Sequence, residues 1–264
     1  MLRLTHPGKF FTNACLSVAL LTGVLPVANG QTLEAHPVFE VGDKWTYSYQ
    51  NKGDRKEPYT YTNQVYALDA ESAWLYGESQ EPNARRAQYH LQYDFKRARV
   101  VEGFNFVAQK PKVAGSQYSN SRPADDQIQL PLQVGKKYNV NWDWNTDSGN
   151  AGYDEYKAEV EAMERVKVPA GEFETYRIKL SGWWTCKSGC NGNGRVERQY
   201  WWSPDAKRVV KETYQNWGNR GLWNNTETVL VKWEPKAALS EALTNPPPAA
   251  APPAPAASAA AVSK

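Results

Sequence analysis

Lys137-Tyr138-Asn139-Val140-Asn141-Trp142-Asp143-Trp144 sets Tyr138, Val140, Trp142 and Trp144 at every second position, with polar residues between them. A period of two marks a strand that covers an apolar interior with one face and meets water with the other. The alternation recurs in Lys44-Trp45-Thr46-Tyr47-Ser48-Tyr49 and in Thr175-Tyr176-Arg177-Ile178-Lys179-Leu180. Further strands are expected near 59–68, 73–79, 88–94, 98–108, 196–202, 207–216 and 226–234. Residues Tyr153 to Val166 are rich in helix formers, yet Tyr156, Ala158, Val160 and Ala162 alternate and run straight into a hairpin, so they read as one long strand. A short helix is expected near Lys236–Leu243. The fold class is therefore all-β, with antiparallel sheets arranged as a half-barrel or a sandwich.

Turn chemistry supports that reading. In Val168-Pro169-Ala170-Gly171 the proline presets the first central residue of a type I turn, and Gly171 can take a left-handed conformation. Ser203-Pro204-Asp205-Ala206 separates two more strands. The sequence also echoes itself. Phe39-Glu40-Val41-Gly42-Asp43-Lys44-Trp45 matches Leu132-Gln133-Val134-Gly135-Lys136-Lys137-Tyr138, and the stretch from Gln92 to Val101 resembles that from Gln199 to Val210. Two matches in the same order point to two related β units, at 31–109 and 128–243, joined by a polar connection at 110–127. Chance similarity between strand openings is the other reading.

The chain ends read differently. Arg3 and Lys9 precede an apolar run from Ala14 to Leu25, then Pro26 and the small residues of Ala28-Asn29-Gly30. This is the pattern of a cleavable export signal over residues 1–30, and the run is short of the ~20 residues a spanning helix needs. A periplasmic or secreted location follows, with no transmembrane segment left after cleavage. Residues 244–264 are dominated by Pro and Ala and are expected to form a disordered tail.

Composition excludes more than it selects. Without Arg3 and Lys9 the chain holds 29 basic against 28 acidic residues, and no long basic block, so a nucleic-acid partner has no electrostatic footprint. Eleven Trp and 15 Tyr against 7 Phe and 2 Met are the outlier, read either as an aromatic core or as stacking surfaces. With Cys15 inside the export signal, Cys186 and Cys190 remain, flanking Lys187-Ser188-Gly189, and a local disulfide is expected in an oxidising compartment. His36 and His90 are the only histidines beyond the signal, too few for a zinc site with that pair, and no cofactor motif occurs.

The segment Val168-Pro169-Ala170-Gly171-Glu172-Phe173-Glu174-Thr175-Tyr176-Arg177-Ile178 carries a family resemblance. With Val41-Gly42-Asp43-Lys44-Trp45-Thr46-Tyr47 before it and Tyr200-Trp201-Trp202-Ser203-Pro204 after it, it resembles bacterial envelope proteins described as TapB-like or as domains of unknown function. The resemblance covers about 128–234 well and 37–108 weakly. It implies an exported antiparallel β fold reminiscent of periplasmic lipoprotein carriers, and no activity.

No catalytic residue emerges. His90 reads as structural or surface, and Asp125-Asp126 and Asp143 with Asp147 read as solvated loop charges. Binding has one concrete feature. Strand parity puts Trp183 with Arg177 and Lys179, and Trp201 with Glu197 and Gln199, on otherwise polar faces flanking the cysteine loop, as a platform for sugars or apolar chains. A second mode is internal: a curved sheet lined by Trp45, Tyr47, Trp142 and Trp144 enclosing a lipid-like component, unless those rings simply form a packed core. A structural role in the envelope is the remaining class.

Overall fold

The computed structural model describes residues 37–244 apart from 54–56, 109 and 123–126. Twelve antiparallel strands follow one another round a closed barrel. The first half holds β1 (Lys44–Asn51), β2 (Tyr59–Leu68), β3 (Ser72–Ser79), β4 (Gln88–Asp94), β5 (Arg99–Phe106) and β6 (Ala114–Arg122). The second holds β7 (Lys137–Thr146), β8 (Ala151–Val168), β9 (Gly171–Ser188), β10 (Asn193–Ser203), β11 (Arg208–Gly218) and β12 (Gly221–Glu234). One short helix, α1 (Glu241–Thr244), follows.

Closure corrects the expectation of a half-barrel or sandwich. β12 returns to pair with β1, from Lys44↔Glu234 to Asn51↔Thr226, so neither strand is left as an exposed edge. The long strand read at 153–166 is β8, 18 residues from Ala151 to Val168. The helix expected from Lys236 starts only at Glu241. The stretch 110–127 holds β6, which pairs with β5 and, over four residues, with β7. The export signal and residues 245–264 lie outside the described residues, as does the Asp125-Asp126 pair.

The two halves repeat local geometry. Gly42 (φ 97°) donates its N–H to Val65 O, Asp43 donates to Glu40 O, and Val65 donates to Asp43 O. Gly135 (φ 88°), Lys136 and Val160 make the corresponding three bonds to Val160, Gln133 and Lys136. A bulge follows each, at Val65/Ala67 in β2 and at Val160/Ala162 in β8. Only a residue tolerant of positive φ can hold such a turn, which is why glycine stands at 42 and 135.

Inward and outward faces are chemically opposite. Val140, Trp142, Tyr156, Ala158, Ile178 and Leu180 are buried, whereas Lys137, Asn139, Asn141, Glu155, Lys157 and Lys179 between them are exposed. A membrane-spanning barrel carries an apolar outer band. The outer face of β7–β9 carries charged and polar side chains instead.

A candidate binding lumen

Eight strands already make a barrel that side chains can just fill, and twelve leave room to spare. The lumen solves this differently on its two sides. Beside β7–β10, Trp142, Tyr156, Ile178, Leu180, Trp184 and Val196 form a continuous packed core. Trp142 meets Tyr156 edge-on at 5.0 Å. Beside β1, β2 and β4 the inward residues are mostly tyrosines. Tyr47 stacks on Tyr61 at 5.2 Å between ring centroids, and Tyr49 lies 5.0 Å from Tyr59. Gly77 and Gly103 face the rings of Tyr89 and Tyr118, which occupy the space a Cβ would need.

These tyrosines line a series of hollows. At the end of the barrel formed by the β1–β2 and β3–β4 connections, a 910 Å³ cleft is walled by Tyr49, Tyr59, Asn51, Gln80, Glu81 and Asn83. Tyr59 and Glu81 also line a neighbouring 320 Å³ hollow with Tyr61, Arg86, Tyr89 and Tyr118. Tyr61 in turn borders a 140 Å³ cavity deeper inside, with Tyr47, Tyr93, Arg99, Tyr200, Arg208 and Glu212. Burial holds Tyr59 protonated, with its pKa pushed up to about 12, and pushes Tyr47, Tyr61 and Tyr93 up as well. These hydroxyls therefore remain neutral hydrogen-bonding groups at ordinary pH.

A polar partition separates the open side from the packed one. Arg198 bonds Gln127 Oε1 (2.8 Å) and Tyr200 OH (3.0 Å), pairs with Glu212 (3.2 Å), and stacks over Tyr214 at 4.3 Å. Asp154 accepts from Trp144 Nε1 (2.7 Å) and Tyr156 OH (2.6 Å), and burial raises its pKa against those bonds. The opposite end is filled by Phe39, which packs on Trp45 and Tyr93, and by Ile128, Leu132, Ala98 and Ala206.

The structure distributes the sequence candidates as follows. Trp45 and Tyr47 belong to one core cluster, and Trp142 and Trp144 to another, so the four do not line one chamber. Trp183 points outward and is 54% exposed, above a 520 Å³ groove lined by Asn141, Glu155, Lys157, Ser181 and Arg195. Glu155, Trp183 and Arg195 are direct cross-strand neighbours, and the Arg195 guanidinium stacks over Trp217 at 4.2 Å. Trp201 also faces outward, but it pairs with Arg177, six positions from Trp183, or about 20 Å along the sheet. Its indole N–H donates to Glu164 Oε1 at 2.7 Å, and Lys211 lies 5.0 Å above its ring. The two tryptophans therefore do not form one platform.

Cys186 and Cys190 are joined by a disulfide across the β9–β10 turn. So small a loop contributes about 2 kcal/mol on the chain-entropy account, and it stiffens the turn three residues beyond Trp183. His90 is buried on the outer face of β4, against Tyr66, Tyr76 and Phe106. Leu239 and Leu243 pack on that aromatic cluster from the segment after β12, which Gln64 holds through Ala238 O and Ser240 N. Asp143 pairs with Lys187, and Asp147 with Arg86 and Arg85, in separate surface pairs. Among the described residues no cluster of His, Cys, Asp and Glu could hold a metal ion.

No protein-family model matches the chain, and no curated protein matches it. Among solved structures it is similar to a presumed lipoprotein from Parabacteroides distasonis, at 11% identity and a TM-score of 0.46, over 76% of this chain and 99% of that one. A presumed exported protein with a YmcC-like fold from Bacteroides fragilis gives 11% and 0.47, over 76% and 99%. The hypothetical lipoprotein YmcC from Escherichia coli gives 10% and 0.39, over 73% and 85%. Nothing about function rests on likenesses this distant.

Proposed function

We propose that this chain is an exported, non-catalytic binding module of the cell envelope whose open lumen takes a carbohydrate-like component. The tyrosine-lined series of hollows carries the reading. Rigid aromatic faces suit the C–H faces of sugars, and Asn51, Gln80, Asn83 and the tyrosine hydroxyls supply donors and acceptors for a polyhydroxylated ligand. An apolar ligand fits less well. The inner cavity of 140 Å³ is below the ~300 Å³ at which ordinary small-molecule pockets begin, and two arginines and a carboxylate line it. His90, the one histidine among the described residues, faces away from the lumen. Export rests on the N-terminal sequence, with which the Cys186–Cys190 disulfide agrees. The TapB-like resemblance of the Val168–Ile178 hairpin belongs to this reading and adds no ligand.

Titration of the mature protein with envelope oligosaccharides, followed by intrinsic tryptophan fluorescence and calorimetry, tests the proposal. Saturable binding weakened at least tenfold by Tyr59→Ala is the expected result. Binding that Tyr59→Ala leaves unchanged and Trp183→Ala abolishes would move the site to the external groove, the second reading that exposed Trp183 favours. No binding to either surface would leave a structural role in the envelope.

A further inference from the structure

Arg99 and Arg208 occupy corresponding places in the two halves of the barrel. Each opens a strand, β5 or β11, directly after a left-handed residue, Ala98 (φ 53°) or Lys207 (φ 60°). Both line the 140 Å³ cavity, so the repeated turn delivers two guanidinium groups to one interior space. Arg99 is engaged there with Val100 O (3.3 Å) and Tyr200 OH (3.4 Å). Arg208 is different. Its guanidinium lies 5.0 Å from the Trp45 ring, 5.6 Å from Tyr93 and 5.7 Å from Tyr47, and no carboxylate pairs with it among the described residues.

One Nη of Arg208 is buried without a hydrogen-bond partner among the described residues. Aromatic faces attract the cation, but they do not take up the in-plane N–H fork that suits carboxylate and phosphate oxygens. Leaving such a donor unmet inside a protein is costly. Among the described residues the one carboxylate on the cavity wall, Glu212, is held by Arg198 at 3.2 Å. The cavity is large enough for an oxyanion and too small for a whole sugar, while the hollow beyond Tyr61 has room for more.

Building on the saccharide reading above, we propose that Arg208 is an oxyanion subsite at the floor of the lumen. It takes the carboxylate or phosphate of an acidic sugar whose ring lies among the tyrosines above it. A charged hydrogen bond of this kind contributes about 1.5–3 kcal/mol, which is about ten- to a hundredfold in affinity.

The test titrates the full mature protein with glucose, glucuronate, glucose 6-phosphate and inorganic phosphate, at low and high salt. Calorimetry reads the affinities, alongside intrinsic tryptophan fluorescence, to which Trp45 next to Arg208 contributes. At least one acidic sugar is expected to bind ten times more tightly than glucose, and which one does so tells a carboxylate from a phosphate ligand. Arg208→Gln should erase that preference, so that glucose and the acidic sugars bind alike, and Arg208→Lys should restore part of it. Equal affinity for glucose and both acidic sugars overturns the subsite and leaves the saccharide reading standing. Phosphate binding that Arg208→Gln removes, with no sugar bound, upholds the subsite and overturns the saccharide reading. Should Arg208→Gln fail to fold, the wild-type preference and its salt dependence decide alone.

Discussion

The two sides of the lumen share a backbone plan and differ in what fills it. Beside β7–β10, Trp, Ile, Leu and Val interlock into a solid core. Beside β1, β2 and β4 the side is lined by tyrosines, among them the ring pairs Tyr47–Tyr61 and Tyr49–Tyr59, with hollows between them. The difference follows from side-chain chemistry. Branched aliphatic chains and indoles can close-pack without water, whereas a phenol must keep its hydroxyl near a partner or solvent. A wall of tyrosines therefore stays apart where a wall of leucines would collapse. The repeated Gly42 and Gly135 turns show that the backbone can be held constant while one side is packed and the other opened.

That contrast is most directly broken by truncating one ring on each side. Trp142→Ala removes a buried indole from the packed side and should cost about 3–5 kcal/mol. Tyr59→Ala removes a ring that already borders the open cleft, and should cost about 1 kcal/mol through the lost tilted ring contact with Tyr49. Urea unfolding with unchanged m-values measures both. Equal costs would mean that the hollows are closed in solution.

The next effect lies behind the open side, on the outer face of the same sheet. Burial among aromatic rings lowers the His90 pKa from 6.5 to about 4. Above pH 6.5 the imidazole is neutral in both folded and unfolded chains, so it gives no pH dependence there. Between pH 6.5 and 4 only the unfolded chain takes up the proton, and stability falls by on the order of 3 kcal/mol as pH falls. His90→Phe should remove this part of the acid sensitivity, seen as a shallower loss of stability from pH 7 to 4 than in the wild type. Parallel slopes would show that the cover formed by Leu239 and Leu243 opens readily enough for water to reach the ring.

Much of this frame was legible in sequence because period two is a local signal. β2 and β4 fall where the alternation put them, and the parity that placed Trp183 outward is the parity of β9. Three features carry no local signal. β6, Ala114–Arg122, is a Gly/Ser/Asn-containing strand of low β-propensity, held by pairing with β5 and, briefly, with β7. Closure joins Lys44 to Glu234, and a register between opposite ends of the fold leaves no trace in either strand alone. Trp201 looks like an exposed ring by parity, yet Glu164 reaches it from β8, a tertiary contact that spacing cannot give. The division between packed and hollow lumen was hidden for a related reason: inward Tyr and inward Trp obey the same alternation.

The smallest stability effect belongs to the outside of the packed side. Trp183 is 54% exposed and stands on a sheet whose inner face is solid. Trp183→Ala should therefore change stability by less than about 0.5 kcal/mol, as ordinary surface substitutions do. A larger loss, measured by urea unfolding beside Trp142→Ala, would mean that Trp183 stabilises the β9–β10 ladder through its neighbours Glu155 and Arg195. The ring would then be part of the wall, and the external groove would lose its one feature that asks for a ligand. A negligible loss leaves an indole held in water on a rigid strand, beside a polar groove, for no reason that folding supplies.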